Sequence, residues 1–100
     1  MNLENIIKKR RVALGLSQTQ LAELAGLSKN YVGLLEGGKK SPTINTLKLI
    51  AEALKIPLPI LTFLSLEDED IDPKKREGFK LIQGPLNSLI AEYFDDAKSK

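Results

Sequence analysis

The strongest constraint in this sequence is its punctuation. Across the first 65 residues, apolar positions at helical spacing are repeatedly cut by capping residues, glycine or proline. Leu3, Ile7, Arg10 and Leu14 recur about one helical turn apart, and Gly15 then supplies a stop. Ser17 followed by Gln20 is a capping-box pair. It opens a second helix whose Leu21, Leu24 and Ala25 are expected to face inward. Gly26 breaks that helix. Ser28 caps a third, anchored by Val32 and Leu35, and Gly37-Gly38 ends it. Pro42-Thr43 opens a fourth, with Ile44, Leu47, Ile50, Ala51 and Leu54 predicted as one wide apolar face. Pro57 and Pro59 mark a short fifth helix carrying Leu58, Leu61 and Leu64. No strand-like alternation persists anywhere, so the predicted fold is all-α.

One hundred residues make one compact domain with room for an appendage, too small for a large enzyme cleft. With 42% hydrophobic residues, general disorder is not expected. Cysteine and histidine are both missing from the sequence. That rules out a disulfide scaffold, the usual zinc sites and histidine acid–base chemistry. The carboxylates fall on expected helix surfaces and in a linker, and no Gly-rich phosphate loop follows a strand; no enzyme activity, metal or cofactor is expected. No apolar run reaches the roughly 20 residues of a membrane span, and no signal-peptide pattern opens the chain. The expected location is the cytoplasm, on the nucleoid.

Net charge is only +2, but it is unevenly placed. Residues 1–65 hold nine Lys/Arg against four Asp/Glu, a net +5, while residues 66–100 hold six against nine, a net −3. The N-terminal part carries the basic footprint that a phosphate backbone requires. Residues 66–73, with Glu67-Asp68-Glu69-Asp70 and Pro73, read as an acidic, solvated linker. In 74–100, Phe79, Leu81, Ile82, Leu86, Leu89, Ile90, Tyr93 and Phe94 cluster at helical spacing. Gly84-Pro85 interrupts them, predicting two short helices or one kinked helix.

Function concentrates in residues 17–38, two short helices around the tight turn Gly26-Leu27-Ser28. Small Ala22 and Ala25 allow the two helices to approach closely. Gly26 takes the positive φ of the turn without a Cβ clash, and Leu27 plugs the corner. With Val32 and Leu35 turned inward, Lys29, Asn30, Gly33 and Leu34 are left on the outer side. A helix mounted in this way can enter the DNA major groove with its N-terminal end at the base edges.

Residues 6–65 resemble the lambda-repressor-like, Cro/XRE-type helix-turn-helix family. The matching text runs from Arg11 through Gly15-Leu16-Ser17-Gln18, Leu21-Ala22 and Ala25-Gly26-Leu27-Ser28. It continues through Tyr31-Val32, Leu35-Glu36, Gly38, Pro42-Thr43, Leu47, Ile50-Ala51 and Leu54. The resemblance implies a five-helix DNA-binding domain over 1–65; the linker and the additional C-terminal helical segment over 74–100 lie outside it. It implies that Gln18 touches a phosphate and braces the reading helix. Lys29, Asn30, Gly33 and Leu34 fall at base-facing positions, and Lys39, Lys40, Thr43 and Asn45 where the family grips the DNA backbone. Tyr31 either contacts a phosphate or covers the turn. Arg11 and Glu36 match a structural ion pair. Gly33 has no side chain to read with, so direct readout is expected chiefly from Lys29, suited to guanine, and Asn30, suited to adenine; Leu34 suits a thymine methyl.

The expected partner is double-stranded DNA, and the expected role is a transcriptional regulator, a repressor acting as a homodimer on a palindromic operator. The apolar cluster of 74–100 is assigned to dimerisation or to a protein partner, the rival being a tail that folds back on the monomer core. Two alternatives on the same fold are an antitoxin or adaptor with autoregulatory DNA binding, and the controller protein of a restriction–modification system.

Overall fold

A computed structural model describes residues 1–94; positions 95–100 of the expected C-terminal segment lie outside the described residues. Six helices make up the described chain: α1 (Leu3–Ala13), α2 (Gln18–Ala25), α3 (Lys29–Glu36), α4 (Ile44–Ala53), α5 (Leu58–Ser65) and α6 (Arg76–Phe94). Two 3-10 turns, Asp68–Asp70 and Pro73–Lys75, join α5 to α6, and no strand occurs among the described residues. The fold is all-α: a five-helix unit, as the resemblance implies, followed by a C-terminal helix. None of these helices is long and apolar enough to cross a membrane.

Local chemistry sets the helix ends. Ser17, Ser28 and Thr43 each accept the N–H three residues on, satisfying one of the donors that a helix start leaves without an internal partner. At Ser17 the capping box is complete, because Gln20 Oε1 accepts the Ser17 N–H at 2.8 Å. The C-termini of the first four helices share one device. A residue with positive φ follows the helix, and the next N–H reaches back to close the last turn, as Leu16 to Arg11 O and Leu27 to Ala22 O. Glycine fills that place after α1, α2 and α3, but after α4 it is Lys55, at φ 58°.

A left-handed conformation is unfavourable for any residue with a Cβ, by about 1 kcal/mol. Lys55→Gly is therefore expected to raise stability by up to ~1 kcal/mol, less what glycine gains in the unfolded chain. Urea denaturation at constant m-value measures it; a destabilised variant would mean that the Lys55 side chain supplies a compensating contact.

One core joins the five helices. Ile7, Leu21, Val32, Ile50, Leu54 and Leu61 are almost wholly buried, with Ala22, Leu35, Leu47, Ala51 and Ile56 around them. Two residues expected inward are not. Leu24 and Ile44 are each 63% exposed. The buried face of α2 centres on Leu21, Ala22 and Ala25, which turns Leu24 about a quarter-turn away. Ile44 opens α4 one turn ahead of Leu47, the first residue of that helix to reach the core. Arg10, read from the sequence only as part of the α1 stripe, donates from Nε to Leu54 O at 3.0 Å and from Nη2 to Lys55 O at 3.4 Å. It places a cation on the carbonyl end of α4, where the helix dipole favours one.

Beyond α5, most of the acidic segment is exposed, and parts of it also make polar contacts. The Met1 ammonium lies 2.9 Å from Asp70, and Arg76 Nε donates to Asp68 O and Ile71 O. Of the two outcomes predicted for Gly84-Pro85, two short helices or one kinked helix, the described residues form one helix, α6, which runs through Pro85. Proline removes one intrahelical hydrogen bond. Phe79 packs on Phe63 with ring centroids 6.0 Å apart, and Ile90 is buried and lines a cavity together with Ile6, Ile56 and Leu64.

Candidate nucleic-acid interface

The site is the outer surface of α3 with the segments that hold it. Gly26, at φ 71°, makes the corner between α2 and α3, and half-buried Leu27 packs beneath it on the core. Ser28 Oγ accepts the Tyr31 N–H, and Val32 and Leu35 fasten the inner side of α3. This leaves Lys29 and Asn30 exposed on the first turn, where a helix N-terminus favours anions. Gly33 and Leu34 are half-buried.

The half-burial of Gly33 has a neighbour. A Cβ built there would lie 3.7 Å from Gln18 Oε1, so the Gln18 side chain lies over the middle of α3. Gln18 Nε2 donates to Glu36 Oε1 at 3.2 Å. The same carboxylate accepts Arg11 Nε at 2.7 Å and Arg11 Nη2 at 2.9 Å, and Arg11 Nη1 donates to Leu16 O at 2.7 Å. Arg11 and Glu36 are both buried, so this is a two-pronged ion pair shielded from solvent. The hydrogen bond to Glu36 is the main reason that the Arg11 guanidinium holds its proton more tightly than usual. Three parts of the chain, α1, the start of α2 and the end of α3, therefore meet on one carboxylate. The Gln18 contact joins residues 18 positions apart in sequence, and no local pattern in the sequence reveals it.

Past α3, Lys39 N–H closes the helix on Leu34 O at 2.9 Å, which starts an exposed loop bearing Lys39 and Lys40. Lys40 Nζ stands 5.3 Å from the centroid of the Tyr31 ring, a cation–π contact that ties this loop to the first turn of α3. Tyr31 is half-buried against the core, leaving part of its side chain accessible. Thr43 Oγ1 caps α4 through the Thr46 N–H, and both Thr43 and Asn45 are exposed. The first-turn N–H groups of α4 lie beside these residues, a further attraction for a phosphate.

Two short helices set around a glycine corner, with the second held by its inner side and open on its outer, define a helix-turn-helix module. The helix-turn-helix family model matches residues 7–61, more than half of the chain. The chain belongs to the lambda-repressor-like, Cro/C1-type helix-turn-helix family. Among curated relatives, it is 39% identical over 67 residues to control protein C.SmaI of Serratia marcescens, covering 66% of this chain and 79% of that protein. It is 31% identical over 118 aligned positions to the immunity repressor protein of Bacillus phage phi105, covering 97% of this chain and 82% of the repressor. With the HTH-type transcriptional regulator SutR of Escherichia coli it shares 40% identity over 63 residues, only 34% of that longer protein. No solved structure is a significant match to the chain.

Proposed function

We propose that this protein is a sequence-specific double-stranded DNA-binding regulator, a repressor that acts as a dimer on a palindromic operator. The observation that carries the reading is the exposed first turn of α3, with Lys29 and Asn30 on a helix fixed from behind by core and ion pair. Lys29 and Asn30 read base edges, with Leu34 against a thymine methyl and Gly33 giving close approach. Gln18, Lys39, Lys40, Thr43 and Asn45 take the flanking phosphates, and the accessible part of Tyr31 borders the same strand. The similarity to a phage immunity repressor supports repression, which needs only occupancy of a promoter.

Selection of bound duplexes from a random library by the full chain tests this directly. Recovery of a palindromic site is the expected result; recovery of no enriched sequence would remove sequence-specific binding. Asn30→Ala is expected to relax the choice at one base pair per half-site, at about 1–3 kcal/mol against the preferred base. Lys39→Ala should instead weaken all sequences alike. Competition binding separates the two, and the opposite pattern would place the reading surface elsewhere.

The similarity to a protein named as a control protein favours a second reading, the controller of a restriction–modification system. Its discriminating mark is a selected site that lies upstream of endonuclease or methyltransferase genes.

A further inference from the structure

Helix α6 is apolar on two sides, and the domain covers only one. Phe79 and Ile90 face the domain. A second stripe, Ile82, Leu86, Leu89 and Tyr93, is 56%, 37%, 49% and 69% exposed, and Leu81 beside it is 75% exposed. Between Lys80 and Glu92 there is no ionisable side chain. A solvated helix face ordinarily carries charges, whereas one that is apolar all round belongs in an interface. Covering five such side chains removes on the order of 500 Å² per protomer, close to the lower bound for a specific interface, roughly 1,000 Å² in total.

We propose that this stripe is covered by the same stripe of a second copy, the two α6 helices running antiparallel about a two-fold axis between Leu86 and Leu89. The inference rests on the dimeric reading above. Two observations select a second copy in this orientation. The stripe residues are spaced four, three and four positions apart, a pattern that reads the same from either end. A two-fold rotation therefore sets Ile82 opposite Tyr93 of the second copy and Leu86 opposite its Leu89, as an isologous contact requires. The charges agree. Residues 74–80 hold Lys74, Lys75, Arg76 and Lys80 against Glu77, a net +3, whereas the last turn of α6 carries Glu92 and no basic residue. Basic residues at the start and an acidic residue near the end oppose the dipole of a single helix. An antiparallel pair sets the basic start of each helix beside Glu92 of the other, while a parallel pair sets the two basic starts together.

Because the chain has no cysteine, introduced thiols report without background. Under mild oxidation, a mixture of Ile82→Cys and Tyr93→Cys chains is expected to form the mixed disulfide, and neither variant is expected to link to itself. In sedimentation of the full chain, Leu89→Glu should raise the dimer dissociation constant roughly a hundredfold or more, since a two-fold interface counts each substitution twice. Leu89 is already half exposed, so the monomer should keep its helical circular-dichroism spectrum. Three results would each overturn the proposal: a full chain that stays monomeric at high concentration, an Ile82→Cys chain that links to itself, or a Leu89→Glu chain that dimerises normally. If Leu89→Glu dimerises normally and still binds a palindromic site, the interface fails but the DNA-binding reading stands. If the α6 pair forms and no DNA sequence is selected, the reverse holds.

Discussion

Arg11→Ala is expected to lower the stability of the folded chain by about 3–5 kcal/mol. The substitution leaves the Glu36 carboxylate buried with only the 3.2 Å bond from Gln18, and it strips the Leu16 carbonyl of its Arg11 donor. Small domains have only about 5–15 kcal/mol in total, so a melting temperature lower by on the order of 15 °C or more should follow. A buried ion pair does not guarantee net stability over an apolar pair of similar volume, because desolvation offsets much of the attraction. The Arg11→Met/Glu36→Leu double variant is therefore expected to be more stable than either single substitution. Denaturant melts of the three variants form a double-mutant cycle. If the double variant loses the sum of the two single losses, the pair is uncoupled and does not hold α3 in place. Since Glu36 closes α3 and Arg11 lies on α1, the same variants should also loosen the surface that carries Lys29 and Asn30.

DNA affinity should fall steeply with salt. Lys29, Lys39 and Lys40 are exposed around α3, and the N-terminal 65 residues carry a net +5. If a dimer neutralises about six phosphates, log K falls against log salt with a slope near −5, about a thousandfold between 50 and 200 mM. Titrations at several salt concentrations give the slope, and Lys39→Ala should reduce it in magnitude by about two per dimer, one for each half-site. A slope near zero would mean that the basic surface around α3 does not meet the DNA backbone.

The sequence by itself determined the elements and most of their ends. Ser17 with Gln20, Ser28, Thr43, and the glycines at 15, 26 and 38 act on N–H and C=O groups within a few residues, so their effect is readable locally. The exposure of Lys29 and Asn30 follows in the same way, from their place in the first turn of a helix anchored at Val32 and Leu35. Tertiary structure decided which apolar arc of each helix found a partner. Periodicity shows that a face is apolar, but Leu24 and Ile44 differ from their buried neighbours only in what packs opposite them. Lys55 adopts a glycine-like conformation because Ile56 must turn back into the core, a demand set by helices distant in sequence. Gln18 meets Glu36, and Arg10 meets the end of α4, only once the chain has closed on itself. The placement of α6 has the same origin: Phe79 packs on Phe63, and Ile90 is buried at a cavity that it lines with Ile6, Ile56 and Leu64, and no local propensity records either.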